Sequence, residues 1–117
     1  ITIHTPLLDN TKHLVNKKHF DLMKPTSIII NAARGGIINE NDLYQSLLEK
    51  NIRGAGMDVF ETEPLEEDSK FRNLENVVLT PHLGASTEEA QVRVGLMALN
   101  QLKEFFINNN TVNEVRP

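Results

Sequence analysis

The chain has 117 residues, of which 24% are charged and 39% hydrophobic, and its formal net charge is −4. This length fits one globular domain, and the negative charge offers no electrostatic basis for binding nucleic acid or an anionic membrane surface. The absence of cysteine excludes disulfides and thiolate chemistry. No apolar run approaches the roughly 20 residues of a membrane span, and with no signal-peptide pattern we predict a cytoplasmic location.

The first third of the chain is predicted to form a strand, a short helix and a second strand. Ile1–Pro6 alternates in the manner of a strand and is stopped by Pro6. Asn16 is predicted to cap a short helix that runs to Met23. The next strand contains Ile28–Ile30, three β-branched residues in a row. Such a run indicates a strand buried on both faces, as in a parallel sheet.

The middle of the chain is predicted to form a helix followed by two more strands. Asn39 is a good N-cap with Asp42 at the third helical position, a weak variant of the capping box, and the helix ends near Lys50. The small residues of Arg53–Phe60 indicate a third strand packed closely against a neighbour. A long polar connection then leads to a fourth strand, Val77–His82.

The last third is predicted to be one long helix, from about 86 to 107, followed by a tail over 108–117. Ser86 with Glu89 three residues later has the pattern of a capping box. The apolar residues of the helix form a stripe that we interpret as core or interface, and they include Ala90, Val94, Met97, Leu102 and Phe105. The whole order of elements predicts an α/β fold with about four parallel strands.

Polar or turn residues end all four predicted strands, and in open parallel sheets ligands bind at this edge. Arg34 ends the second strand before two glycines, Asp58 and Glu63 follow the third, and His82 ends the fourth. An arginine grips a carboxylate with two hydrogen bonds, a histidine moves a proton near neutral pH, and a carboxylate orients the imidazole. This set suits oxidation of a 2-hydroxy acid beside a nicotinamide whose carboxamide Asp58 binds.

Each of these residues also has a purely structural interpretation. Arg34 and Glu63 would form a surface ion pair of small value, His82 would be a turn histidine, and Asp58 would cap a loop. For single residues both interpretations stay open, but four such groups at four strand ends favour a site. No pair of histidines has metal-ligand spacing with a third ligand, so no metal is predicted.

Four motifs occur in order over nearly the whole chain. They are His4–Leu7, Asn31–Gly36, Gly56–Pro64 and Thr80–Thr87. Together they resemble the D-isomer-specific 2-hydroxyacid dehydrogenases. The resemblance implies a Rossmann-like fold and an NAD-dependent oxidoreductase. Within the family, the run from His82 to Gln91 is most similar to the members that oxidise 3-phosphoglycerate to 3-phosphohydroxypyruvate in serine biosynthesis.

The resemblance also implies a role for individual residues. Arg34 is the carboxylate-binding residue, His82 the general acid and base, and Glu63 its partner. The implied cofactor contacts are Thr5, Ala32, Asp58, His82, Leu83, Gly84 and Ala85.

Parts of the family pattern are missing from these 117 residues. They contain neither the G-x-G-x-x-G phosphate loop nor the residue that separates NAD from NADP. We therefore expect residues 1–117 to be a partial NAD(P)-binding domain, the second half of a doubly wound sheet, and to be inactive alone. The longer enzyme would act on a small 2-hydroxy or 2-oxo acid as a homodimer or homotetramer. The alternatives are a hydroxypyruvate or glyoxylate reductase, or a non-catalytic NAD-sensing corepressor of the same fold.

Overall fold

The computed structural model describes residues 1–114. In chain order the elements are β1 (Thr2–Ile3), α1 (Lys17–Phe20), β2 (Ile28–Asn31), α2 (Glu40–Leu48), β3 (Gly54–Met57), a 3-10 turn (Lys70–Asn73), β4 (Val77–Leu79) and α3 (Glu88–Asn108). The chain divides into two compact units, Ile1–Leu83 and a second that begins at Gly84. Within the described part, no helix has both the length and the apolar character needed to cross a membrane.

The first unit is built on one sheet of four parallel strands in the order β1-β2-β3-β4. The predicted α/β fold with parallel strands is therefore confirmed. Because all four strands run the same way, their carboxyl ends lie along one edge. The residues that follow each strand, from Thr5 to His82, are those that the sequence analysis assigned to a site.

The strands are shorter than predicted, and β4 shows the reason. Thr80 still donates its N–H to the Met57 carbonyl at 2.9 Å, but the next donor on that side, the His82 N–H, bonds the Asp58 carbonyl at 2.8 Å and not the Val59 carbonyl that would continue the register. His82 then adopts a left-handed backbone conformation with φ 56°. The strand therefore gives way to a turn three residues before its predicted end.

The prediction that β2 is buried on both faces is wrong for the described residues. Ile29 is completely buried, whereas Ile28 and Ile30 are each 45% exposed. Phe20 of α1 and Leu43 of α2 belong to the same core cluster as Ile29. Both helices of this unit thus cover the face that carries Ile29, and strand alternation turns Ile28 and Ile30 the other way.

The short helix α1 has the predicted cap but ends earlier than predicted. Asn16 accepts the Lys18 N–H, and His19 completes the capping box. The helix ends at Phe20 rather than Met23 because, after the Asp21 N–H bonds the Lys17 carbonyl, the next two N–H groups bond three residues back, Leu22 to His19 and Met23 to Phe20. These bonds form successive turns that do not continue an α-helix.

Asn39 caps α2 as predicted, accepting the Asp42 N–H at 3.0 Å. The predicted capping-box role of Asp42 is wrong. Its carboxylate accepts the N–H of Lys17, the first residue of α1, at 2.9 Å. Asp42 therefore ties the two helices together.

The second unit contains α3. Its N-cap is Thr87, whose hydroxyl accepts the Ala90 N–H at 3.2 Å, so the predicted cap at Ser86 is wrong by one residue. None of the residues of α3 is buried, and Val94, Met97 and Phe105 are each about half exposed. The apolar stripe is thus not core here, and its interpretation as an interface stays a prediction. The predicted extended tail lies partly outside the described residues, which end at 114.

Candidate active site

The centre of the candidate site is a direct contact between His82 and Glu63. The imidazole Nδ1 lies 2.8 Å from Glu63 Oε2, and both side chains are partly exposed. Glu63 follows β3 and His82 follows β4, so the two neighbouring parallel strands deliver the pair. The second carboxylate oxygen, Oε1, accepts the Phe60 N–H at 3.0 Å, which fixes the plane of the carboxylate.

The charge on Glu63 decides which nitrogen of His82 carries a proton. The hydrogen bond with His82, followed by that with the Phe60 N–H, lowers the pKa of Glu63 from its usual value. An ionised carboxylate only accepts hydrogen bonds, so Nδ1 of His82 is the donor. In the neutral imidazole, Nε2 is then the basic nitrogen.

Asp58 holds the turn that carries His82, which is the loop-capping alternative given for this residue, although its partners were not predicted. Asp58 is 8% exposed. Its Oδ1 accepts the Thr80 hydroxyl at 2.5 Å and the Leu83 N–H at 2.7 Å, and its backbone carbonyl accepts the His82 N–H at 2.8 Å. The signal in the sequence was a carboxyl after β3 and a hydroxyl after β4, which parallel register places side by side.

Arg34 lies at the carboxyl end of β2, in a turn held by Asn31. The Asn31 side chain donates to the Arg34 carbonyl at 2.9 Å and accepts the Ala33 N–H at 3.1 Å. The guanidinium donates through Nη1 to the Ala33 carbonyl at 2.7 Å. Over residues 1–114 it forms no ion pair with Glu63, so the structural alternative of a surface ion pair is not realised.

Two cavities lie at the strand ends of the first unit. One, of about 670 Å³, brings together Thr5, Ala32 and Arg34. The other, of about 500 Å³, is lined by Glu63 and His82. Within the described residues, no hydrogen bond joins Arg34 to Glu63 or His82. The four groups predicted to converge therefore lie along one sheet edge, but Arg34 does not bond to the Glu63–His82 pair.

Gly35 links the Arg34 turn to the segment that carries Glu63. A Cβ on Gly35 would lie 1.8 Å from the Phe60 carbonyl oxygen and 2.8 Å from the Glu61 nitrogen. Only glycine allows the two backbones this approach. The Arg34 turn and the Phe60–Glu63 segment therefore pack directly on each other.

Gly84 and Ala85, two of the predicted cofactor contacts, belong to the second unit. There the Ala85 carbonyl accepts the Gln91 side-chain N–H at 2.6 Å, which ties the start of the unit to α3. Leu83 ends the first unit, with its N–H on Asp58.

Comparison with known proteins places these features in a family. Residues 1–84 match the family model described as D-isomer specific 2-hydroxyacid dehydrogenase, NAD binding domain. The chain is 48% identical over 104 residues to a D-3-phosphoglycerate dehydrogenase of Methanocaldococcus jannaschii, an alignment that covers 89% of this chain and 20% of the relative. It is 44% identical to a hydroxypyruvate reductase of Thermotoga maritima, covering 87% of this chain and 34% of that protein.

A solved structure has the same fold. It is an NADPH-dependent glyoxylate/hydroxypyruvate reductase of Sinorhizobium meliloti in complex with NADP and malonate. The match has a TM-score of 0.87 at 27% identity and covers 97% of this chain and 35% of that one. The chain thus spans about a fifth to a third of the length of these relatives.

Proposed function

Because this chain belongs to the D-isomer-specific 2-hydroxyacid dehydrogenase family and falls in its NAD-binding domain, we propose that the gene product containing it oxidises a D-2-hydroxy acid. The substrate we propose is 3-phosphoglycerate, in line with the name of the relative that is 48% identical. The observation that carries the proposal is the contact between His82 and Glu63. His82 is the base and Glu63 its carboxylate partner, and both lie at the edge where such sheets bind ligands.

His82 is the general base of the proposed reaction. Its Nε2 takes the hydroxyl proton of the substrate during oxidation and returns it during reduction. Glu63, which accepts the Nδ1–H, stabilises the imidazolium that forms. Because the Phe60 N–H also holds Glu63, the carboxylate stays in place while the proton moves.

Arg34 is the proposed binding residue for the substrate carboxylate. Its guanidinium is exposed at the end of β2 and presents a planar fork that a lysine does not offer. The bond from Nη1 to the Ala33 carbonyl holds the side chain along its own turn. This fixed orientation reduces the entropy lost when a carboxylate binds.

The residues present fit the nicotinamide end of a dinucleotide. Thr5 and Ala32 line the cleft beside Arg34, and a carboxyl group such as that of Asp58 suits the carboxamide N–H₂. Leu83, Gly84 and Ala85 are the other proposed contacts. When bound, the nicotinamide supplies the hydride acceptor. NAD is the proposed form, and the 117 residues alone, without a G-x-G-x-x-G loop, are expected to bind it weakly and not to turn over substrate.

A second candidate is reduction of hydroxypyruvate or glyoxylate, which the 44% identity to a hydroxypyruvate reductase favours. The same residues would serve, with His82 donating the proton.

A cytoplasmic location is proposed from the composition, which lacks cysteine. A homodimer or homotetramer is proposed from family membership alone.

Steady-state kinetics on the gene product containing this chain test the proposal. We expect turnover of 3-phosphoglycerate with NAD, and we expect His82→Ala to lower kcat by about 10²–10⁴-fold while the folded structure, followed by circular dichroism, is retained. Faster turnover of hydroxypyruvate or glyoxylate would favour the second candidate. Cofactor binding without turnover of any of these acids would identify an NAD-sensing scaffold and overturn the proposal, as would near-normal kcat in His82→Ala.

A further inference from the structure

Two carboxylates outside the proposed catalytic set bind each other's backbone. Glu40 is the first residue of α2, and Glu61 lies in the connection after β3, two positions before Glu63. The Glu61 N–H donates to Glu40 Oε1 at 2.6 Å, and the Glu40 N–H donates to Glu61 Oε1 at 3.4 Å. These two bonds join the start of a helix to a segment without regular structure.

His13 adds a third segment to this contact. Its Nε2 lies 3.1 Å from the same Oε1 of Glu61. Its own N–H donates to the Gly36 carbonyl at 2.7 Å, in the turn that follows Arg34. The Glu61 side chain is thus the point where the loop before α1, the start of α2 and the Phe60–Glu63 segment meet.

The position of Glu63 depends on how this segment is held. The Phe60 N–H orients the Glu63 carboxylate, so any displacement of Phe60 or Glu61 moves the carboxylate away from His82. Gly35 supports the segment by contact with Phe60, and Glu40 supports it by the short bond to the Glu61 N–H. We propose that Glu40 is a positioning residue, which holds Glu61 and through it sets the Glu63 carboxylate against His82.

Burial of the Glu40 carboxyl has a cost that supports this assignment. Burial raises the pKa of Glu40, and the neighbouring charge of Glu61 adds to the rise, while the Glu61 backbone bond and Lys70 oppose it. An acidic side chain at the start of a helix is ordinary, but one that is half-buried beside a second carboxylate is costly. The hydrogen bond from the Glu61 N–H to the Glu40 carboxylate offsets part of this cost.

Three variants at position 40 separate the bond from the charge. Glu40→Ala removes both, Glu40→Gln removes the charge and keeps an acceptor oxygen, and Glu40→Asp keeps the charge on a side chain one methylene shorter. Glu67→Ala is the control, because Glu67 is an exposed carboxylate in the following acidic run.

The first measurement does not depend on activity. The Glu63 side-chain carboxyl is titrated by ¹³C NMR in the gene product containing this chain. We expect its pKa, lowered in the wild type, to rise towards the usual value in Glu40→Ala and Glu40→Asp, as it does in a His82→Ala reference. It should stay low in Glu40→Gln and Glu67→Ala. Equal shifts in the Ala and Gln variants, or no shift in Ala and Asp, would overturn the proposal.

The second measurement rests on the proposed function and uses the gene product containing this chain. We expect kcat to fall roughly tenfold or more in Glu40→Ala, the effect of a misplaced catalytic group, with KM little changed and with rescue in Glu40→Gln. If Glu40→Ala does not fold, Glu40→Asp serves in its place. A shifted Glu63 titration in an enzyme without turnover would reject the proposed function and leave the positioning role intact, whereas normal kcat in both Ala and Asp variants of an active enzyme would reject positioning.

Discussion

Gly35 and Phe60 approach so closely that a methyl group on Gly35 would lie 1.8 Å from the Phe60 carbonyl oxygen. This contact joins the turn that carries Arg34 to the segment that carries Glu63. The two halves of the candidate site are therefore coupled through the backbone, although no hydrogen bond links Arg34 to Glu63 within residues 1–114.

Gly35→Ala should disrupt both the fold and the site, because the overlap is with backbone atoms that have little freedom to move. We expect a loss of about 1–3 kcal/mol in the free energy of unfolding, as for other overpacked positions, measured by urea denaturation. Gly56→Ala, in β3, is the control, since its Cβ would meet only Ile30 side-chain atoms at 3.6 Å or more. If the two variants proved equally stable, the backbone contact would not constrain the site.

Removing the carboxyl group of Asp58 should destabilise the turn that carries His82. In Asp58→Ala the Thr80 hydroxyl and the Leu83 N–H lose their acceptor, and the loss of each hydrogen bond costs about 0.5–1.5 kcal/mol. Urea unfolding of this variant measures the loss.

Thr80 provides the check on that interpretation. Thr80→Ser keeps the hydroxyl and should lose little stability. Thr80→Val is close in shape but cannot donate a hydrogen bond to Asp58 Oδ1, and it should be less stable. If Thr80→Val were as stable as Thr80→Ser, the bond to Asp58 would contribute nothing.

The Glu63–His82 pair should make stability rise with pH across the titration of Glu63. The hydrogen bond from His82 lowers the pKa of Glu63 from its usual 4.5, so the unfolded chain binds more protons than the folded chain in the window below that value. The stability contributed by ionised Glu63 is present above pH 4.5 and is lost as the pH falls through the lowered folded pKa. The stability difference between the wild type and Glu63→Gln should therefore shrink from pH 6 to pH 3, and a difference independent of pH would contradict the pairing.

Glu40 should show the opposite dependence. Burial raises the pKa of Glu40 above its usual 4.5, so folding favours its protonated form and this contribution is lost as the pH rises through the folded pKa. Glu40→Gln does not titrate. Relative to the wild type, Glu40→Gln should gain stability between pH 3.5 and pH 7, measured by denaturation at each pH. A relative loss over that range would show that Glu40 is better accommodated as a charged group than its burial indicates.

The order of elements was predictable because strand and helix periodicities are local. β-branched and small residues marked β2 and β3, Asn16 and Asn39 were recognised as caps, and parallel strand ends are bound to share an edge. The pairing of Glu63 with His82 was implied only by the family resemblance, because Asp58 and Glu63 both follow the third strand and the local pattern does not choose between them. The cap of α3 was misplaced because Ser86 and Thr87 are chemically equivalent candidates, and only the reach of the hydroxyl to the Ala90 N–H separates them.

By itself the sequence determined the α/β class, the order of elements along the chain and the chemical groups that end the strands, whereas the order of the strands in the sheet came from the structure. Tertiary structure alone decided which of those groups touch. Asp58 holds Leu83 across 25 positions, and Glu40 and Glu61 exchange backbone bonds across 21. Likewise, β2 is covered on one face because both α1 and α2 pack there. Such contacts depend on the separation of side chains brought together by the sheet, and no local pattern of residues encodes that separation.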